Sequence, residues 1–161
     1  MTTAKNKVED YTGREFIITR EFTAPRELVF EAWTNPKHVA LWWGPRGFNN
    51  PVCEWNAKPG RAIRVVMRAP YGIDYPIGGE FHEIVAPERL VFTTGALDEK
   101  GKMLFEFLHT VTLVERRGIT MLTIRSLVIK TTDAATKYIG GFEEGMTQSL
   151  ERLAELNHLN K

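Results

Sequence analysis

The chain has 161 residues with 21 lysines and arginines against 20 aspartates and glutamates, a net charge of +1. It therefore lacks the basic excess that nucleic-acid binding draws on. At 43% hydrophobic and 25% charged it has the composition of a folded globular chain, and its length is that of one domain. No apolar run approaches the ~18 residues of a membrane span. The opening MTTAKNKVEDY carries no signal-like apolar stretch. The single cysteine, Cys53, excludes an internal disulfide and fits a reducing compartment, so a cytoplasmic protein is expected.

In chain order, Phe16 to Phe22 reads as a strand of β-branched and aromatic residues. Residues 1–13 before it read as a flexible segment, and 14–158 as a single domain. Thr23 is a candidate cap for a helix from Pro25 to Trp33, with Leu28, Val29 and Ala32 or Trp33 inward. Asn35-Pro36 breaks that helix, and a second runs from Lys37 to Trp42. Gly44 to Gly47 ends the helical part. Strands follow over Pro51 to Trp55, Ile63 to Ala69, Glu80 to Ala86 and Leu90 to Thr94, with Tyr71 to Pro76 a turn-rich connection. After a turn at Asp98 to Gly101, Met103 to Glu115 and Ile119 to Ile129 form the longest hairpin.

From Asp133 to about Leu156 the hydrophobic period changes from 2 to 3.6, with Thr132 or Asp133 as cap. Phe142, Met146, Leu150 and Leu153 form one stripe, while Glu143, Glu144, Glu151 and Arg152 read as solvated. Gly140, Gly141 and Gly145 each cost about 1 kcal/mol in a helix, which points to close packing or a kink. The order predicts an α+β fold: an antiparallel sheet of six or seven strands against one long C-terminal helix. The space between them is a default ligand site.

Several chemistries have no motif here. Neither Ser126 nor Ser149 lies in G-x-S-x-G. There is no phosphate loop or dinucleotide turn, and the four histidines show no metal spacing, so no cofactor or metal is expected.

REFTAPRELVFEAWTNP (Arg20 to Pro36), WWGP (Trp42 to Pro45), GGEFHEIVAPERLVFT (Gly78 to Thr93) and GFEEGMTQSLERLAEL (Gly141 to Leu156) together resemble the SRPBCC superfamily. Within it they are similar to the bacterial family of homologues of the activator of heat-shock protein 90 ATPase. The resemblance implies a START-like helix-grip fold, in which a curved sheet grips the C-terminal helix around an apolar cavity. It implies a small hydrophobic or aromatic ligand in a family of largely unassigned function. Two alternatives come with it: a polyketide cyclase or dehydratase using acid/base groups of the cavity, and a co-chaperone acting on heat-shock protein 90. A homodimer is compatible with exposed strand or helix surface.

The expected cavity lining is Met67, Phe81, Phe92, Phe105, Phe107, His109, Leu122, Ile124, Phe142 and Met146. His109 interrupts an apolar strand face. It either contacts a ligand or is a core histidine satisfied by its neighbours. Arg20 shares a face with Ile18 and Phe22 and needs a partner, which can be an acidic ligand or an internal carboxylate. Glu83 shares the face of Phe81 and either faces the cavity or pairs with an arginine. Trp42, or its neighbour Trp43, and Tyr75 are candidates for the cavity mouth.

Overall fold

The computed structural model describes residues 11–156. Seven strands form one antiparallel sheet: β1 (Glu15–Phe22), β2 (Asn49–Trp55), β3 (Ala62–Arg68), β4 (Asp74–Val85), β5 (Arg89–Ala96), β6 (Phe105–Arg116) and β7 (Ile119–Thr131). Their order across the sheet is β1-β7-β6-β5-β4-β3-β2. β2 to β7 thus pair in sequence, and β1 returns to β7. Helices α1 (Arg26–Thr34) and α2 (Pro36–Trp42) connect the two sheet edges, β1 and β2. The C-terminal helical stretch is broken into a 3₁₀ turn (Asp133–Ala135), α3 (Thr136–Gly140) and α4 (Phe142–Ala154). The α+β helix-grip architecture is the one expected.

Period-2 patterning decides which face is buried. On β6, Phe105, Phe107, His109, Val111 and Leu113 point inward; on β7, Thr120, Leu122, Ile124, Ser126 and Val128 do so. The two strands are joined by a two-residue turn, with Arg117 at φ 55° and Gly118 at φ 80°. Positive φ at both positions is what a right-twisted two-residue hairpin requires.

Several local expectations are corrected. β4 begins at Asp74, so much of the expected Tyr71–Pro76 connection is strand. Within β4, Gly79 serves close strand approach. A Cβ at Gly79 would collide with the carbonyl of Thr93 on β5. The cap of α1 is not Thr23: Pro25 occupies the cap position, and the carboxylate of Glu115 on β6 accepts from the Arg26 amide at 3.0 Å. The anion sits where the helix dipole is positive. Asn35 caps α2 by accepting from the Lys37 amide at 2.9 Å. Tyr11 is packed in the core and the Gly13 amide donates to the Val128 carbonyl. Residues 1–10 of the expected flexible segment lie outside the described residues.

The break between α3 and α4 falls at Gly140-Gly141, the glycines whose helix cost pointed to a kink. The expected Thr132 cap is absent there. Its hydroxyl bonds the Leu104 carbonyl at 2.8 Å, tying the start of the helical stretch to the β5–β6 connection. α4 buries Met146, Leu150 and Leu153 as the stripe predicts, with Ser149 beside them.

Because the Gly79 collision is with backbone rather than a movable side chain, Gly79→Ala is expected to destabilise the fold by about 3 kcal/mol. Gly60→Ala, where no atom lies within 4 Å of an added Cβ but φ is 82°, should cost less, about 1 kcal/mol. Urea denaturation of the two variants checks the order.

Candidate functional site

The inner face of the sheet is filled at one end and open at the other. At the filled end, Trp33 of α1 lies between Trp42 of α2 and the sheet cluster of Trp55, Phe81 and Phe92, with neighbouring ring centroids 4.6–6.2 Å apart. Two of the indoles are pinned to backbone. Trp42 Nε1 donates to Ala32 at 2.9 Å, and Trp55 Nε1 donates to Trp33 at 2.7 Å. At the other end the helices draw away, leaving a cavity of about 520 Å³. The sheet contributes Met67, Tyr75, Ile77, Thr94, Ala96, Phe105 and Phe107 to its wall. Tyr138, Phe142, Met146 and Ser149 close it from the helical side, and Trp43 to Pro45 with Phe48 form its rim.

The wall is aromatic and uncharged. Among the described residues no lysine, arginine, aspartate, glutamate or histidine lines it. Phe142 stacks on Phe107 at 4.3 Å, and Tyr138 lies against both Phe105 and Tyr75. At the mouth the Tyr71 and Tyr75 hydroxyls are 2.7 Å apart. That hydrogen bond raises the Tyr75 pKa further above its ordinary value, so the phenol stays neutral.

The rim is fixed by α4. Arg152 was expected to be solvated. Its guanidinium instead donates to the carbonyls of Leu41 (2.9 Å), Trp43 (3.1 Å), Gly44 (2.9 Å) and Pro45 (3.1 Å). These include free carbonyls at the C-terminus of α2, where a cation is favoured. Asn50 Nδ2 donates to Ala40 and Trp43 from the other side. The Ser149 hydroxyl accepts from the Gly44 amide at 2.9 Å and donates to Gly145 at 3.1 Å. Outside, Arg46 pairs with Glu155.

His109 lies where the filled and open ends meet, and it is fully buried. Its ring stacks on Phe107 (5.5 Å) and lies tilted against Phe92 (4.9 Å). Nε2 is 2.7 Å from the Thr94 hydroxyl and Nδ1 is 2.7 Å from the Ser126 hydroxyl. Burial without a neighbouring carboxylate pushes its pKa down to about 3, so the imidazole is neutral. Of the two readings of His109, the geometry matches the core histidine satisfied by neighbours. Thr94, not His109, is on the cavity wall.

Of the expected lining, Met67, Phe105, Phe107, Phe142 and Met146 are on the wall, and the mouth candidate Tyr75 joins them. Phe81, Phe92, Leu122 and Ile124 share the inward parity but lie at the filled end, in packed core. Trp42 is fully buried against α1; Trp43, one residue on and past the helix end, turns to the cavity. Glu83 is exposed and paired with Arg89 at 2.9 Å, because a β-bulge between Phe81 and Glu83 reverses the strand's facing. Arg20 is half-buried on β1 with its guanidinium 6.0 Å from the Phe22 ring, and it is not on the wall. Burial pushes the Cys53 thiol up to about 11, away from the thiolate form. Wall residues that reasoning from the sequence missed include Phe48, Ile77, Thr94, Ala96, Tyr138 and Ser149. Thr94 and Ala96 were recoverable from the parity of β5; Phe48 and Tyr138 were not.

Residues 23–157 match the family described as Activator of Hsp90 ATPase homolog 1-like protein. Among solved structures, a protein from Arthrobacter aurescens is 28% identical with a TM-score of 0.77, covering 92% of this chain and 91% of that one. One from Chromobacterium violaceum is 28% identical with a TM-score of 0.71, covering 87% and 94%. A protein of the dynemicin biosynthetic locus shares the fold at 21% identity and a TM-score of 0.64, over 91% of this chain and 48% of that one. Among curated proteins no relative matches.

Two outcomes follow from the site's polar groups. His109 binds a proton more readily unfolded (6.5) than folded (about 3). Its contribution to stability is therefore complete above pH 6.5 and is lost as pH falls, by up to about 1.4 kcal/mol per unit. Between pH 6.5 and 5 the wild type should lose about 2 kcal/mol more than His109→Gln, as read by urea denaturation at each pH. Arg152→Met should lower stability by about 2–3 kcal/mol, with Arg152→Lys recovering less than half, since an ammonium does not fork across four carbonyls.

Proposed function

The chain belongs to the family of Activator of Hsp90 ATPase homolog 1-like proteins, and on that premise we propose that it binds a small, neutral, largely aromatic molecule between the sheet and α4. The carrying observation is the wall: about 520 Å³ enclosed by aromatic and aliphatic side chains, with no charged side chain among the described residues. A cavity of that size falls in the range of small-molecule sites. An ionised ligand would be stripped of water there without a counter-charge, at a cost of several kcal/mol. A neutral ring system gains apolar burial at about 25 cal/mol per Å² and stacks on Phe105, Phe107 and Phe142.

The binding reading is favoured over a cyclase or dehydratase. Such chemistry needs a titratable acid or base at the substrate. Among the described residues the titratable groups on the wall are Tyr71, Tyr75 and Tyr138. The order Thr94–His109–Ser126 has the connectivity of a hydroxyl–imidazole pair with an orienting third member. Here that third member is an uncharged hydroxyl, so nothing stabilises an imidazolium. The same fold in a protein of the dynemicin biosynthetic locus supports a small-molecule role for this scaffold. The family's description refers to activation of the Hsp90 ATPase, an activity exerted through a protein surface; an aromatic cavity supports small-molecule binding instead.

The test compares 9-fluorenone with 9-fluorenone-2-carboxylate by fluorescence titration. The neutral ketone should bind at least tenfold more tightly than its carboxylate. Ala96→Phe, which projects a ring into the cavity from the β5 wall, should weaken fluorenone at least tenfold while leaving the thermal midpoint within a few degrees. Equal affinity of wild type and Ala96→Phe would refute the site.

A further inference from the structure

Resting on that reading, we infer that Thr94 is the residue that selects the ligand's hydrogen-bonding group, and that His109 lets it accept either a donor or an acceptor by exchanging tautomers. Thr94 is on the cavity wall, on the inner face of β5 with Phe92 and Ala96. Of the wall's other hydroxyls, Ser149 has the Gly44 amide and the Gly145 carbonyl, and those of Tyr71, Tyr75 and Tyr138 belong to exposed or half-buried side chains, whereas Thr94 is buried. Among the described residues the Thr94 hydroxyl has one hydrogen-bond partner, His109, which leaves its oxygen a further donor or acceptor capacity toward the cavity.

His109 is the other half of the argument. It is neutral, so one ring nitrogen carries a hydrogen and the other a lone pair. Both ring nitrogens face hydroxyls, at 2.7 Å each. A hydroxyl donates or accepts equally well, so both tautomers are satisfied by the same atoms in the same places. With hydrogen on Nδ1, His109 donates to Ser126 and accepts from the Thr94 hydroxyl; the Thr94 oxygen then presents a lone pair to the cavity. With hydrogen on Nε2, His109 donates to Thr94, whose own hydrogen is then free to point at the ligand, and Ser126 donates to Nδ1. A carboxylate in place of Ser126 would lock the first arrangement. The neutral Ser126 leaves the choice to the ligand, and no charge is created in either state. The bound molecule is accordingly an aromatic compound with one inward hydrogen-bonding group, either an N–H or O–H or a carbonyl.

Carbazole, 9-fluorenone and fluorene provide the test, because they share a tricyclic shape and differ in one group: a donor, an acceptor and neither. Thr94→Val keeps the side-chain shape and removes the hydroxyl. It should weaken carbazole and fluorenone about tenfold and leave fluorene within twofold, while Thr94→Ser retains all three affinities. In wild type labelled with ¹⁵N-histidine, the ring nitrogens of His109 should show hydrogen on Nδ1 with carbazole bound and on Nε2 with fluorenone bound. The inference is overturned if the tautomer is the same with both ligands, or if Thr94→Val weakens fluorene as much as the other two. If Thr94→Val does not fold, the wild-type tautomer measurement still decides. If none of the three compounds binds wild type, it is the binding reading of the cavity that fails.

Discussion

One guanidinium holds the site open. Arg152 gathers four backbone carbonyls from the end of α2 and the loop after it, and three of those carbonyls belong to Trp43, Gly44 and Pro45 of the cavity rim. A loop at this position has no ladder to satisfy its carbonyls and would otherwise turn them to water. By fixing them on α4, Arg152 sets the distance between helix and rim, with Ser149 fixing the Gly44 amide one turn away. The charge-assisted bonds offset the cost of half-burying the cation. The space between sheet and helix follows from that clamp.

The rest of the inner face follows from how four indoles are distributed. Trp33, Trp42 and Trp55 occupy the end of the sheet where Phe81, Phe92, Leu122 and Ile124 point inward, and Trp43 on the cavity rim links Trp42 to Trp55. That end is closed by volume alone. The opposite end receives a helix broken at Gly140-Gly141 and smaller wall residues, Thr94 and Ala96, and stays open. His109 stands at the boundary. Its two hydroxyl partners satisfy both ring nitrogens within a face that otherwise carries few polar groups. Burying it unpaired would cost stability; fully partnered, it joins the three adjacent strands β5, β6 and β7 through side chains.

The strands and the core face were legible, since β6 and β7 alternate without a break over their inner residues and α4 shows its stripe at 3.6 spacing. What parity does not carry is position along the strand. Phe81 and Phe92 have the same facing as Ala96 and Phe107, yet which end lies beneath the indoles depends on register and on helices α1 and α2. Glu83 shows a second limit, because one inserted residue in β4 turned it outward and no residue type marks the bulge. Arg152 shows a third. It lies off the apolar stripe and reads as solvated, while its partners are main-chain carbonyls more than a hundred residues away, which composition does not display. His109 was legible as an anomaly on an apolar face, but its neighbours across the sheet decided between its two readings.

The central claim, that the open end of the grip is the ligand site, is tested most directly by methyl NMR of protein labelled at methionine. Met67 and Met146 line the cavity, whereas Met121 lies on the outer face of β7, 38% exposed. Titration with 9-fluorenone should shift the Met67 and Met146 methyl resonances along one saturable curve and leave Met121 in place. Saturable binding that moves Met121 and neither of the cavity methyls would contradict the account.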